Sequence, residues 1–140
     1  MRHRSTNRAF TLIEILIVVV ILGILAAIVI PQFTSASDDA QNSSVQSQLQ
    51  TVRGQIELYN VQQNGYPATV VAGTDWSDMI DNNYLMGDPR NAMRDNATGI
   101  VAGAGVPGDA SGGAAGDGWY WNTADNILYA IAADGSIMDF

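Results

Sequence analysis

A single carboxylate, Glu14, lies inside an otherwise apolar run from Phe10 to Ile30, in which Thr11 is the other polar residue. Placing a carboxylate within a membrane helix costs on the order of 2.5–3.5 kcal/mol, so an acid at such a position is expected to have a partner. A cut before Phe10 would supply one, because the new α-amine would lie four residues upstream of Glu14. Such a pair could form within one helix, and between neighbouring subunits it could fix an axial offset.

Glu14 also has a simpler interpretation. A glutamate near the start of a helix is stabilised by the helix macrodipole, and its carboxylate can extend to the membrane interface. The residue type and its position leave both interpretations open.

The other candidates for site chemistry are aspartates in the second half of the chain. Four of them could together supply oxygen ligands for calcium, although their spacing matches no known calcium loop: Asp109, Asp117, Asp125 and Asp134. The chain has no cysteine and no lysine, and its single histidine is His3. The usual general base, thiol nucleophile and Schiff-base amine are therefore missing beyond residue 9, so we expect no enzymatic activity and no cofactor other than calcium.

The charges are distributed asymmetrically along the chain. Arg2, Arg4 and Arg8 precede the apolar run, and the rest of the chain has three arginines against fourteen acidic residues, a formal charge of −11. A surface this acidic repels phosphate backbones, so we expect no binding to nucleic acid. Arginines before an apolar segment predict an amino terminus in the cytoplasm.

The apolar run and the segment after it predict one long helix in two parts. At about 1.5 Å per residue the apolar run spans roughly 31 Å, close to the thickness of the membrane interior, so residues 10–31 predict a transmembrane segment. Residues 32–64 predict an amphipathic continuation, because apolar residues recur there at helical spacing: Val45, Leu49, Val52, Ile56 and Tyr59. The string Asn64-Gly65-Tyr66-Pro67 predicts the end of the helix.

Residues 65–140 predict a small globular part, which we call the head. The pattern predicts a short helix at residues 74–80, a loop at 84–95 and a weak strand within 97–106. Three further strands are predicted at residues 119–121, 127–131 and 137–140. The Asp134-Gly135 pair between the last two strands is typical of a tight hairpin. We therefore expect an α+β fold, with one long amino-terminal helix and a small carboxy-terminal antiparallel β-sheet packed on its second half.

The string Ala9-Phe10-Thr11-Leu12-Ile13-Glu14 resembles the processing site of type IV pilins and of the pseudopilins of type II secretion. The resemblance covers about residues 8–67. It implies that residues 1–9 are a leader, that a prepilin peptidase cuts between Ala9 and Phe10, and that Phe10 becomes N-methylated. It also implies a role in assembly for Glu14, the fifth mature residue. The family normally has glycine before the cut, and Ala9 departs from that pattern.

Three further expectations follow from the resemblance. Gly23 and Pro31 fall where the family commonly has a helix-loosening glycine and a proline that ends the apolar run. Glycine weakens a helix by about 1 kcal/mol and proline removes one hydrogen bond, so the segment between them could loosen when subunits move from membrane to filament. Secretion pseudopilins often bind calcium in the head, which implies a calcium site among the four aspartates.

The function that the resemblance implies is polymerisation of a structural subunit into a homo-oligomeric helical filament. Its partners would be the prepilin peptidase, an inner-membrane assembly platform and, for the precursor, the bacterial inner membrane. The filament would be periplasmic or at the cell surface. The small head and the missing cysteines favour the pseudopilus of a type II secretion system over a surface type IV pilus for adhesion, motility or uptake, because many surface pilins carry a carboxy-terminal disulfide.

Two other interpretations compete with a filament subunit. A secretory signal peptide cut after the small residues Ser35-Ala36-Ser37 would leave Glu14 unexplained. A singly anchored binding module that never assembles would keep its function when Glu14 is replaced with alanine.

Overall fold

The computed structural model describes residues 10–105, 114, 116–138 and 140, apart from the side chains of residues 31–34. Its elements are, in order, α1 (Leu12–Gln63), α2 (Ala68–Ala72), α3 (Ser77–Asp81), a 3₁₀ turn (Ala92–Arg94), β1 (Gly99–Gly103), β2 (Asp117–Asn122), β3 (Ile127–Ile131) and β4 (Ile137–Met138). The predicted α+β class is confirmed. The chain forms two compact units, one ending at Ser37 and the other spanning Asp38–Phe140, and each is described by itself.

In the second unit, α1 packs through the apolar stripe that its sequence predicts. Val45, Leu49, Val52 and Ile56 are buried, and Tyr59 packs against them while remaining partly exposed. Residues spaced three and four apart lie on one face of a helix, which explains why this set is buried together. The helix ends at Gln63, where Asn64 takes a left-handed conformation and the Gly65 amide donates to the Asn60 carbonyl. The predicted helix stop is confirmed.

The sheet has the order β1-β2-β3-β4. The β2–β3 and β3–β4 pairs are antiparallel, as predicted, and Gly135 has a positive φ in the tight turn before β4. The expectation of an antiparallel sheet is wrong for β1, which pairs with β2 in parallel, so the sheet is mixed. Parallel neighbours need a crossover of about a dozen residues, and the interval between Gly103 and Asp117 supplies that length.

Both faces of β2 are covered, which explains its nearly continuous burial. Trp119 and Trp121 pack on the α1 stripe together with Trp76, and Trp119 meets Trp76 edge to face with 6.3 Å between the ring centroids. Tyr120 faces the other way, into a small cluster with Tyr129, Ile131 and Ile137. Strands buried on two faces read as continuous apolar runs, as this one does.

The segment before β1 departs most from the predicted loop at residues 84–95. Asn91 is fully buried, and its Nδ2 donates to the carbonyls of Gly118 (2.6 Å) and Ile131 (2.8 Å), while its Oδ1 accepts from the Met93 amide. The Trp119 indole donates to the Pro89 carbonyl at 2.9 Å. The hydrogen bonds from this side-chain amide take the place of backbone hydrogen bonds to the two strands, and they fix the loop to the sheet.

Two short helices precede this loop. The sequence predicts one helix at residues 74–80, and α3 begins three residues later, where Asp75 accepts hydrogen bonds from the amide and hydroxyl of Ser77. Helix α2 was not predicted. Its amino end is held by Asp78, whose Oδ2 accepts from the Thr69 amide at 2.9 Å.

Candidate processing and assembly site

Glu14 and Thr11 form a reciprocal cap at the start of α1. The Glu14 Oε2 accepts hydrogen bonds from the Thr11 amide and from the Thr11 hydroxyl, both at 2.8 Å, and the Thr11 Oγ1 accepts from the Glu14 amide at 3.3 Å. This is the capping box, in which a Thr at the N-cap and a Glu three residues later each satisfy a backbone donor of the other. The structure therefore fits the simpler interpretation, in which Glu14 is stabilised at the start of a helix, and it shows the hydrogen bonds that hold the carboxylate there.

The capping box places the Glu14 carboxylate near Phe10, before which the cut is predicted. Phe10 directly precedes Thr11 and its side chain is largely exposed. An α-amine created at Phe10 would be one residue from the amide that donates to Glu14, at the end of the helix where backbone dipoles favour negative charge. The roles predicted for Phe10 and Glu14 stay predictions, and Ala9 lies outside the described residues.

The first unit exposes apolar side chains on every side of α1. Leu12 is 87% exposed, Ile13 is 62% exposed, and every large apolar residue from Ile15 to Ile30 is at least 42% exposed. Among the residues that the structure describes, α1 is long and apolar enough to cross a membrane, with an 18-residue window of mean hydropathy 3.3. A helix that is apolar all round is buried in lipid or among other helices. This part of the chain therefore fits a membrane-anchored precursor.

Gly23 and Pro31 both lie within α1, which continues through them to Gln63. A Cβ added at Gly23 would meet no atom within 4 Å, so its glycine is not required by packing inside this unit. Glycine in a helix interior costs about 1 kcal/mol relative to alanine, and no contact among the described residues around Gly23 offsets that cost. The predicted loosening of the segment between Gly23 and Pro31 stays a prediction.

The aspartates predicted to hold calcium are separated by the sheet. Asp125 lies in the β2–β3 turn, whereas Asp117 is the first residue of β2 and Asp134 follows the end of β3, so both lie at the opposite end of these two strands. The five residues of β3 separate Asp125 from Asp134 by roughly 17 Å, too far for one shared cation. Asp109 lies outside the described residues, and among the described ones no three His, Asp or Glu side chains are grouped to hold a metal ion.

Two of these aspartates are already engaged in turns. The hydroxyl and the amide of Ser136 donate to Asp134 Oδ1, and these bonds lower the pKa of Asp134 below its ordinary value. Asp125 accepts from the Ile127 amide, the Tyr129 hydroxyl and the Asn122 side chain. Calcium binding at any of the four stays a prediction.

The capping box was not predicted, although the sequence contains its pattern. The spacing Thr11-x-x-Glu14 before an apolar run is the sequence form of a capping box. The burial of Asn91, whose partners Gly118 and Ile131 are 27 and 40 residues away, was not predicted either. No local pattern marks such a contact.

Comparison with known proteins finds similarity over part of the chain. Residues 4–30 match the family model described as the prokaryotic N-terminal methylation motif. The type II secretion system core protein G of Pseudomonas aeruginosa is 41% identical over 67 residues, which are 48% of this chain and 47% of that protein. The same-named protein of Escherichia coli is 32% identical over 69 residues, which are 49% of this chain and 48% of that protein.

A type IV narrow pilus major component of Thermus thermophilus is 42% identical over 60 residues, which are 43% of this chain and 52% of that protein. The chain thus spans about half the length of the curated relatives that it matches. No solved structure matches it. The methylation motif and these relatives show that part of the chain is similar to the core protein G of type II secretion systems and to a type IV pilus component.

Proposed function

We propose that this protein is a structural subunit, not an enzyme, that polymerises into a pilus-like filament after removal of residues 1–9. The observation that carries the proposal is the all-round exposure of apolar side chains from Leu12 to Ile30 behind a capped Glu14. Such a surface needs lipid in the precursor and other helices once the subunit leaves the membrane. The partners are a prepilin peptidase, an inner-membrane assembly platform and further copies of the chain.

The proposed path of the subunit follows from the same surface. The precursor sits in the inner membrane with its amino terminus in the cytoplasm, and the filament forms outside that membrane. Leaving lipid is favourable only if neighbouring subunits bury the same apolar side chains, because each Å² of apolar surface moved into water costs about 25 cal/mol. Assembly and extraction are therefore coupled in this proposal.

The first test is the mature amino terminus. We expect the protein from membranes and from sheared filaments to begin at Phe10 and to be heavier than the unmodified mature chain by one methyl group. Mass spectrometry and amino-terminal sequencing measure both properties. A chain that begins near Asp38 would instead establish signal-peptide cleavage and would remove the proposed filament function.

Of the two kinds of filament, we propose the pseudopilus of a type II secretion system. Two of the relatives described above carry the name of its core protein G, and the chain has no cysteine for a carboxy-terminal disulfide. A surface type IV pilus is the second candidate, because the Thermus thermophilus pilus component is 42% identical over 60 residues.

Deletion of the gene distinguishes these two filaments. For a pseudopilus subunit we expect a defined set of proteins to disappear from the culture medium and to accumulate in the periplasm, while surface pili persist. Quantitative proteomics of medium and periplasm, with electron microscopy of the cell surface, measures both. Loss of surface filaments with an unchanged medium would assign the chain to a surface pilus instead.

A further inference from the structure

A partly open cleft lies between α1 and the β2–β3 turn in the second unit. Its volume is about 210 Å³, below the roughly 300 Å³ at which small-molecule pockets begin. We call it the Trp121 cleft, and its lining residues are Arg53, Ile56, Glu57, Trp121, Asn126, Ile127 and Leu128. Its size suits one inserted side chain better than a cofactor.

The Trp121 cleft has an apolar base and a fixed charged wall. Ile56, Trp121 and Leu128 are each at most 2% exposed. The Arg53 Nε donates to the Leu128 carbonyl at 2.6 Å, and the Arg53 guanidinium lies 5.1 Å from the centre of the Tyr129 ring. These two contacts hold Arg53 in place, so the cleft exists before anything enters it.

The Trp121 ring belongs to the lining of this cleft. A thioether sulfur packs well against aromatic rings, so a methionine side chain suits the cleft.

Met86 is the most exposed large apolar side chain of the second unit, with its full surface in solvent. The loop that carries it is well anchored on both sides. Before it, the Tyr84 ring packs at a tilt against Tyr59 with 5.0 Å between ring centroids, and the Tyr84 hydroxyl donates to Gln62 at 2.6 Å. After it, the Pro89 carbonyl accepts from the Trp119 indole. Met86 is therefore presented on an ordered loop, which lowers the entropic cost of inserting it into a partner.

The Met86 loop and the Trp121 cleft lie on opposite flanks of α1. With about 100° per residue, Arg53 and Glu57 lie roughly 60° and 100° to one side of the buried Ile56. Tyr59 and Gln62, which hold the Met86 loop, lie roughly 60° and 120° to the other side. A projection and a cleft on opposite flanks cannot meet within one chain, but they can meet between successive copies.

We propose that Met86 of one copy inserts into the Trp121 cleft of the next copy in the filament. Contacts between two different surfaces of the same subunit are heterologous, and they generate open helical polymers when they do not close into a ring. The cleft lining contains two charged residues, Arg53 and Glu57, and Arg53 is the one with which the exposed Asp88, two residues after Met86, would pair. The inference rests on the proposed filament function and names one of its subunit contacts.

Cysteine cross-linking tests this contact, because the chain contains no cysteine of its own. We expect the double variant Met86→Cys/Glu57→Cys, treated in filaments with a short bis-maleimide, to give a ladder of dimers and larger multimers on a denaturing gel. Each single variant should stay monomeric. The matched control is Ala133→Cys/Glu57→Cys, which pairs the cleft with an exposed turn residue and should give no ladder.

The possible outcomes distinguish a failure of the proposed contact from a failure of the proposed function. Filaments that form normally but give no multimers from the Met86→Cys/Glu57→Cys pair would overturn the contact and leave the proposed function intact. A multimer ladder from the control pair would overturn the contact as well. Absence of any filament from the unmodified chain would overturn the proposed function, and the contact with it.

Substitution of Met86 gives a second, independent readout. Met86→Glu should lower the yield of sheared filaments by about tenfold or more, because it places a carboxylate against the apolar base of a cleft whose lining already contains Glu57. Met86→Leu keeps the apolar volume and should stay within about twofold of the unmodified chain. Both should leave the melting temperature of the dispersed subunit unchanged, and filament yield from Met86→Glu equal to that of the unmodified chain would overturn the proposal.

Discussion

Replacement of Glu14 with glutamine should abolish filament assembly while leaving the start of α1 intact. A glutamine oxygen can still accept from the Thr11 amide and hydroxyl, so the capping box survives the change. The negative charge does not survive, and with it goes the proposed pair with the α-amine of Phe10. Breaking a buried charge pair by removing one partner costs about 3–5 kcal/mol. We therefore expect the yield of sheared filaments to fall by about 100-fold or more.

The comparison of three variants separates the two interpretations of Glu14. Glu14→Ala removes both the charge and the cap, and it should fail to assemble as Glu14→Gln does. Thr11→Ala removes the hydroxyl of the cap, which costs about 1 kcal/mol, but keeps the charge, so filaments should form at reduced yield. Mass spectrometry of each variant must first establish a mature chain that begins at Phe10.

Normal filament yield from Glu14→Gln would contradict the charge pair. Glu14 would then be a helix cap that interacts favourably with the macrodipole, and the axial offset between subunits would have to come from other contacts. Normal yield from Glu14→Ala as well would favour the singly anchored module over a filament subunit.

Local patterns predicted the parts of this fold that depend on neighbouring residues. The buried stripe from Val45 to Ile56 repeats at the helical period, and Asp134-Gly135 is a turn that few other pairs can form. The same holds for β2 and β3, which are apolar runs bounded by turn residues. Each of these segments has its structure encoded within about ten residues.

The missed parts depend on residues that are far apart in the chain. The parallel pairing of β1 with β2 is set by a crossover and not by the strand itself. The residues around Asn91 predict a turn, because asparagine is common in loops. The burial of Asn91 follows only from the positions of β2 and β3. The Trp121 cleft likewise joins residues 53–57 to residues 121–128. Packing decides such sites, and one sequence does not reveal them.

Replacement of Trp119 with alanine should unfold much of the second unit. Trp119 is fully buried between α1 and Trp76, and truncating a buried tryptophan costs about 3–5 kcal/mol. The change also leaves the Pro89 carbonyl without its indole donor, which adds about 1–3 kcal/mol if water does not replace it. Since domains of this size are stable by about 5–15 kcal/mol, we expect a large fall in the melting temperature. Near-ultraviolet circular dichroism of the full chain in detergent micelles measures it.

Two further variants show whether the stability lost in Trp119→Ala comes from the buried position of Trp119. Trp119→Phe keeps an aromatic ring but removes the indole N–H and part of the buried volume, so it should cost less than alanine while it also loses the bond to Pro89. Met86→Ala removes a large apolar side chain that is fully exposed, and it should change the unfolding free energy by less than about 0.5 kcal/mol. If Trp119→Ala costs no more than Met86→Ala, the loop from Tyr84 to Asn91 is not held to the sheet by Trp119. The anchored presentation of Met86 would then lose its support.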